Sequence, residues 1–418
     1  MKILFIHQNF PGQFKHLAPA LAAQGHDCRA LTLRFDKPFK WQGVQILPYK
    51  MRATRAQNIQ PWLFDLDSQT KRAAACFMAA RALKEQKGYS PDLILAHPGW
   101  GESMYLRDIW PEARMGIYCE LYHQTGWPHV NFDPEFPMDE SVSVQRARMK
   151  NINNHLHFDI AHGGISPTRF QADTFPQPFR EKIMVCHDGI DTDLIRPDPG
   201  VYLELQSQKL GRLKLTREDE VITFVNRNLE PYRGYHRFMR ALPQLLRERP
   251  KARVLIVGGD EVSYGTKPPA GQSWKQIFID EVRGRIPTPH WERVHFLGKI
   301  PYDQFLRLLQ LSRVHVYLTY PFVVSWSLLE AMSAEAAIVA ADIAPTREIL
   351  THDENARLVD FFDGEALVRE ICVLLEDTET CVRLGAAARS KMVLQYDLKR
   401  VCLPQQMDWV ARLTMEVL

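Results

Sequence analysis

Two arginines, Arg227 and Arg233, stand just after an apolar run at residues 221–225, and Gly234 follows the second. Guanidinium groups carry permanent charge and forked donors that match phosphate oxygens, and glycine lets the backbone approach a ligand closely. Further on, residues 320–327 form a short aromatic loop between an apolar run and a helix opening on Ser327-Leu-Leu-Glu330. A loop that delivers a helix start to the end of a buried strand presents unpaired N–H groups and a positive dipole end, which suit phosphate. The Ser325, Trp326 and Ser327 amides are the expected donors there. Glu330, one turn inside, is placed to hold a hydroxyl attached to that phosphate. The combination points to a diphosphate joined to a sugar. The bland alternatives are a capping box for Ser327 and Glu330, and surface ion pairs for the arginines.

The first half carries a second set. His7-Gln-Asn-Phe-Pro-Gly12 follows the opening apolar run, His97-Pro-Gly-Trp-Gly-Glu102 follows another, and Glu120 and Tyr122 follow a third. Imidazole, carboxylate and phenol groups at strand ends would orient an acceptor hydroxyl, which makes His7, His97 and Tyr122 acceptor candidates. The two histidines also read as core residues. Gly12 reads either as a close approach to ligand or as a plain helix-start glycine. Gly258-Gly259 and Gly298-Lys299 close two later runs, and Gly298 and Lys299 join the donor-side set. No G-x-G-x-x-G follows either opening strand and no P-loop is present, which disfavours a dinucleotide-dependent dehydrogenase. The pairs Asp65/Asp67 and Asp191/Asp193 read as caps or turns, and no metal is expected.

Alternating strand and helix patterns would position these groups. Strands are expected at residues 2–6, 28–33, 44–48, 92–96, 115–120, 158–165 and 183–186. Helices are expected at 12–24, at 68–86 and from Pro167. Prolines at 176, 178, 197 and 199 bracket a connection. A second series then runs through strands at 221–225, 253–257, 294–297, 314–318 and 337–341, with a helix at 235–247. Short apolar runs separated by helices signal parallel sheets covered on both faces. The expected organisation is an N-terminal α/β domain at 1–180, a second at 181–397, and a helix at 398–418 packing back on the first. Tandem α/β domains bind ligand in the cleft between them, at the carboxyl ends of the strands.

At 418 residues, with 45% hydrophobic and 24% charged, the composition is that of a soluble globular chain of two or three domains. No apolar run reaches the roughly 18 residues of a membrane span, and the N-terminus reads as a buried strand rather than a signal peptide. Seven dispersed cysteines without C-x-x-C spacing fit reduced thiols and a cytoplasmic setting. Residues 1–60 hold nine Lys/Arg against two Asp/Glu, with Lys37, Lys40, Trp41, Lys50, Arg52 and Arg55 mixing basic and aromatic groups. Besides a solvated face, this allows peripheral contact with an anionic membrane surface. Nucleic acid is not expected, since no binding module accompanies the charge.

These residues give the chain a resemblance to the family-4 glycosyltransferases of the GT-B fold over essentially its whole length. The segment from Arg227 to Arg233-Gly234 is similar to one in which an arginine and a following lysine bind the donor diphosphate, with arginine in the lysine place and one extra residue between. Asp188-Gly-Ile-Asp-Thr-Asp-Leu-Ile-Arg-Pro197 is similar to the family's element at the domain junction. Val294-His-Phe-Leu-Gly298 resembles the strand that reads the nucleobase, and Leu329-Glu-Ala-Met-Ser333 the end of the Glu-x7-Glu motif. The resemblance assigns the ribose contact to Glu330. The first glutamate of that motif is replaced by Phe322, and its neighbouring glycines by Val323 and Ser325. Glu120 stands where the family often has a histidine, and its carboxylate is expected to compensate for the lost one.

The resemblance implies a GT-B fold, two Rossmann-like α/β domains facing across a cleft. It implies transfer of a sugar from a nucleoside-diphosphate donor, UDP- or GDP-linked, to an acceptor hydroxyl, with retention and without a metal or other cofactor. The expected catalytic residues are Glu120, His97, Arg227 and Arg233, and the acceptor is a glycan or a lipid-linked molecule. A nucleotide-sugar epimerase and a non-catalytic nucleotide- or glycan-binding homologue are the alternatives.

Overall fold

The computed structural model describes residues 1–51, 59–124, 126–137, 140–207 and 211–415. Arg52 and Arg55 of the basic stretch lie outside them. The chain divides into two compact units. The first comprises Met1–Trp127, Asp139–Gly189 and Lys399–Leu418, and the second Pro128–Met138 and Ile190–Leu398.

The first unit is built on an eight-stranded sheet. Its strands are β1 (Lys2–Ile6), β2 (Asp27–Thr32), β3 (Phe39–Trp41), β4 (Val44–Pro48), β5 (Leu93–Ala96), β6 (Arg114–Tyr118), β7 (Gly163–Ser166) and β8 (Ile183–Val185). They lie in the order β3-β4-β2-β1-β5-β6-β7-β8, and all pairings are parallel except β3 with β4. Strands β1 and β5 are apolar on both faces because helices cover both. The helix Phe64–Lys87 packs on one side, and the C-terminal helix Leu403–Thr414 adds Trp409, Val410 and Leu413 to the core on the other. That helix lies close over the sheet: a Cβ on Gly116 would come within 2.4 Å of Leu413.

Three expectations need correction here. Residues 12–24 do not form one helix. Gly12 takes a left-handed φ of +48°, a 3₁₀ turn covers Gly12–Phe14, and the helix proper is Leu17–Ala23. Pro19 falls in the first turn of that helix, where its missing N–H costs no intrahelical hydrogen bond. Residues 158–160 are the end of the long helix Glu140–Ile160, and the strand begins only at Gly163. Strand β8 hydrogen-bonds in the first sheet, so the division between units follows Gly189 rather than residue 180.

The second unit carries a six-stranded parallel sheet of β11 (Val221–Asn228), β12 (Arg253–Gly259), β13 (Val294–Gly298), β14 (Val314–Tyr317), β15 (Ala337–Ala341) and β16 (Arg357–Val359), in the order β13-β12-β11-β14-β15-β16. A separate antiparallel hairpin, β9 (Tyr202–Ser207) with β10 (Gly211–Thr216), sits beside it. The helix Tyr235–Glu248 buries Phe238, Leu242 and Leu245 against the sheet at helical spacing. Apart from the β3–β4 hairpin at the edge of the first sheet, each sheet has one place where the chain reverses its direction of progress. In the first it lies between β1 and β5, and in the second between β11 and β14. Loops leaving the carboxyl ends of such strand pairs diverge and open a crevice.

Candidate functional site

The crevice of the second unit is bordered by the loops after β11 and β14. Pairing of β11 with β12 slips between Val225 and Asn228, so Asn226 and Arg227 stand outside the regular ladder. Such a bulge re-aims side chains at a strand end. Arg227 is exposed. Six residues on, Arg233 is 7% exposed, and its Nη1 donates to Thr319 Oγ1 at 3.0 Å and to the Val323 carbonyl at 3.3 Å. It therefore ties the loop after β11 to the loop after β14. Gly234 is required at this crossing: its φ is +68°, and a Cβ would lie 2.2 Å from that of Leu318.

The loop after β14 ends at Ser325, the N-cap of the helix Trp326–Ser333. The Ser325 amide donates to the Tyr317 hydroxyl at 2.9 Å, and the Ser325 and Ser327 hydroxyls are 2.6 Å apart. Ser327 thus lies inside the helix, and Ser327 with Glu330 is not the capping pair. Glu330 instead accepts a 2.7 Å hydrogen bond from the Tyr302 hydroxyl, which fixes one carboxylate oxygen. Trp326 is exposed at the helix start.

Lys299 and Gly298 come to the same edge from β13. A Cβ on Gly259 would meet Lys299 Cε at 2.5 Å and Asn228 Oδ1 at 2.6 Å, so the ends of β11, β12 and β13 lie side by side around that glycine. Gly298 has a φ of +67°. The Lys299 side chain is 62% exposed and pairs with Glu261 at 3.2 Å, a surface contact of small worth. The strand ends thus bring Arg227, Arg233, Lys299 and an exposed helix start to one edge, a cationic and donor-rich set with the chemistry of a polyphosphate cradle.

In the first unit, His7 after β1 and His97 after β5 face one another across the reversal point with ring centroids 5.2 Å apart. Trp100 packs on both, at 4.9 and 4.6 Å, and Tyr118 stacks on His97 at 5.2 Å. His97 Nδ1 accepts from the Gly99 amide at 3.3 Å, which assigns the ring proton to Nε2. That Nε2 is 3.6 Å from the Glu120 carboxylate. Burial pushes His97 down to about 4, so it is neutral at pH 7 and its contact with Glu120 is not an ion pair. His7 is pushed down to about 3, by burial and then by His97, while its ring donates to Gln13 Oε1 at 2.8 Å. Burial raises the Glu120 carboxyl above its ordinary value, although 43% of the side chain is open to solvent. The result is a neutral imidazole N–H beside an accessible carboxylate. Gly12 closes over this group: a Cβ there would fall 2.1 Å from His7 Nε2. It packs on imidazole in the first unit.

Tyr122 is not part of this cluster. Its hydroxyl pairs with His155 at 3.0 Å, and its ring packs on Phe158 and Phe175. Phe322, in the position of the missing glutamate, packs on Tyr264, Tyr232 and His129 at 5.1, 5.4 and 5.6 Å. Two residues escaped sequence reasoning. Glu230 is fully buried and accepts from the amides of Ser263, Tyr264 and Gly265 at 3.0, 3.3 and 3.0 Å, holding the Tyr264 ring over Arg233 at 5.0 Å. Tyr118 donates to both oxygens of Asp188 at 3.0 and 3.1 Å. A charged residue directly before Pro231 was the only local sign of the former.

Among the described residues one group, Asp133, Glu135 and His236, has metal-ligand types close together. Arg240 holds Glu135 at 2.6 Å and Arg237 flanks Asp133 at 3.5 Å, so cations already occupy its surroundings. No helix among the described residues is long and apolar enough to cross a membrane.

Comparison with known proteins agrees with this geometry. Residues 24–195 match the sequence profile of the glycosyl transferase family 4 group, and residues 208–391 that of glycosyl transferases group 1. The phosphatidyl-myo-inositol mannosyltransferase of Mycolicibacterium smegmatis is 30% identical over 187 residues, 43% of this chain and 42% of that protein. The D-inositol 3-phosphate glycosyltransferase of Corynebacterium efficiens is 24% identical over 210 residues, 50% of this chain and 46% of that one. The matches thus span less than half the length of either relative. Among solved structures, the sucrose-phosphate synthase of Thermosynechococcus elongatus superposes with a TM-score of 0.73 at 17% identity, over 99% of this chain and 98% of that one. Anabaena HepE in complex with UDP and glucose gives 0.66 at 19% identity, over 98% and 99%. At these identities the likeness shows the fold, which is GT-B with two Rossmann-like α/β domains. The two profiles together with that fold place the chain in the family-4 glycosyltransferases.

Proposed function

We propose that the protein transfers a sugar from a nucleoside-diphosphate sugar to an acceptor hydroxyl. The observation that carries this reading is the crossing at the second sheet's reversal point, where Arg233 bonds to the Val323 carbonyl beside the exposed helix start at Ser325. The Ser325 amide is already given to the Tyr317 hydroxyl, so the diphosphate would lie on Arg227, Arg233 and the amides of Trp326 and Ser327, with Glu330 on the ribose and Gly298 and Lys299 toward the base. As the bond from the anomeric carbon to the β-phosphate oxygen breaks, charge develops on that oxygen. Fixed guanidinium and amide donors stabilise it without reorganisation. The acceptor hydroxyl oxygen forms the new bond to the anomeric carbon and loses its proton. With the retention implied by the family, that proton passes to the leaving phosphate on the same face. These protein groups supply the charge stabilisation, so no metal is invoked.

The His97, Glu120 and His7 cluster is the acceptor-orienting candidate of the first unit. UDP or GDP is the favoured nucleotide. Relatives are named as acting on inositol phosphate or phosphatidylinositol, and one group of them as GDP-mannose-dependent, which supports a glycan or lipid-linked acceptor. Exposed Lys37, Lys40 and Lys50 supply positive charge for peripheral contact with an anionic membrane. The replacement at Phe322 favours one second reading, a homologue that binds nucleotide without turnover.

Thermal-shift screening against UDP-, GDP- and ADP-sugars, followed by an assay for nucleoside-diphosphate release, tests the proposal. Selective stabilisation by one donor with release on adding acceptor supports it. Stabilisation without any release favours the second reading, and no stabilisation by any donor removes both.

A further inference from the structure

The segment Pro128–Met138 belongs to the second unit although the residues on either side of it in sequence belong to the first. Three prolines, Pro128, Pro134 and Pro137, restrict its backbone and reduce the entropy lost on fixing it. Asp133 anchors it: its carboxylate meets His236 Nε2 at 2.8 Å, both side chains have no solvent exposure, and it also accepts from the Glu135 amide at 3.0 Å. Phe136 lies on Trp274 at 5.2 Å and Glu135 pairs with Arg240. A buried polar pair flanked by aromatic anchors fixes one register of the segment on the unit.

The residues that this segment touches next are those of the diphosphate loop. Phe132 packs on Tyr320 at 5.1 Å, and His129 packs on Phe322 at 5.6 Å and on Tyr232 at 6.2 Å. Tyr320 and Phe322 open the loop whose Val323 carbonyl receives Arg233 and whose Ser325 caps the helix. Tyr232 is the residue directly before Arg233. The segment thus packs on both sides of the crossing that Arg233 makes.

We propose that residues 128–137 act as a positioning strap, locked by Asp133 and His236, that sets Arg233 and the Ser325 helix start for the donor diphosphate. Neither Asp133 nor Phe132 need touch the substrate. They act through Tyr320, Phe322 and Tyr232. The inference rests on the donor site proposed above and adds to it the residues that hold that site in register.

The test compares binding of UDP, GDP and ADP with that of UMP, GMP and AMP to the full-length protein, by calorimetry, in wild type, Phe132→Leu and Asp133→Asn. Melting is followed in parallel. For the nucleotide that wild type prefers, each variant is expected to weaken the diphosphate about tenfold more than the monophosphate, because a sub-ångström shift falls on the β-phosphate donors. A purely structural role would lower the melting temperature while leaving that ratio at the wild-type value, and an unchanged ratio overturns the proposal. If Asp133→Asn does not fold, Phe132→Leu, which keeps the buried polar pair, decides the outcome. Wild type binding no diphosphate more tightly than its monophosphate would remove the donor-site reading itself, and this inference with it. An unchanged ratio in the variants alone removes only the strap.

Discussion

Replacing the two arginines by alanine should separate ligand binding from folding, because the fold uses them differently. Arg227 is exposed and stands outside the regular ladder of its strand. Arg233 is buried, bonded to Thr319 and Val323, and covered by the Tyr264 ring. A hydrogen bond to a charged group contributes about 1.5–3 kcal/mol, so loss of one arginine–phosphate contact weakens the nucleoside diphosphate by roughly ten- to a hundredfold. Arg227→Ala should show that loss and no change in unliganded melting temperature. Arg233→Ala should show it together with a stability loss of about 2–4 kcal/mol, from the severed loop contacts and two unsatisfied acceptors. For a unit of this size that corresponds to a fall of roughly 5–10 °C. Differential scanning calorimetry of the unliganded variants and titration with the preferred diphosphate supply the two readings. Full-strength binding by Arg227→Ala, or an unchanged melting temperature in Arg233→Ala, would refute the reasoning.

Other perturbations follow from the same geometry. Glu230→Gln puts an amide group against three backbone N–H donors, and should cost about 2–4 kcal/mol and speed hydrogen exchange at residues 263–265. Exchange at wild-type rates would count against it. Glu120→Gln should lower turnover at saturating donor about tenfold or more with little effect on donor affinity, and unaltered turnover would remove Glu120 from the acceptor site. Glu102 is buried, neither of its oxygens has a hydrogen-bond partner among the described residues, and burial raises it from 4.5 to about 7. Between those values the folded state holds a proton that the unfolded chain has lost, so stability falls as pH rises through that window. Glu102→Gln should therefore raise stability at pH 8 by up to roughly 3 kcal/mol and change it little at pH 4. His97 works the other way. Its depressed value means stability is lost as pH falls from 6.5 through about 4, and His97→Gln should flatten that acid limb in calorimetric scans.

Much of the edge formed by the ends of β11, β13 and β14 was legible in the sequence, because it is built from short-range signals. Strand β15 was read with its observed bounds, and Arg227, Gly234, Gly298 and Ser325 each follow an apolar run closely. The helix expected from Gly12 failed because Gly12 is left-handed and a 3₁₀ turn follows it, so regular helix starts only at Leu17. Residues 158–160 look strand-like by composition, yet the helix from Glu140 runs on to Ile160 because Phe158 packs on Phe175 and Phe179. Tertiary packing decided that stretch. Strand β3 is only three residues long and largely exposed, so it carries no apolar run, although Gln42 and Gly43, both at positive φ, mark its turn. The hairpin of β9 and β10 carries alternation at Leu203, Leu205, Leu213 and Leu215, a period-two signal that marks both strands. Asp133 and His236 lie 103 residues apart, and nothing local in either stretch announces their pairing.

The most direct test is a crystal structure with the nucleoside diphosphate that stabilises the protein most. The account predicts the β-phosphate within hydrogen-bond distance of the Arg227 and Arg233 guanidinium groups and the Trp326 and Ser327 amides, with the ribose hydroxyls on Glu330. A diphosphate bound away from the carboxyl ends of β11 and β14, with both arginines disengaged, would contradict it.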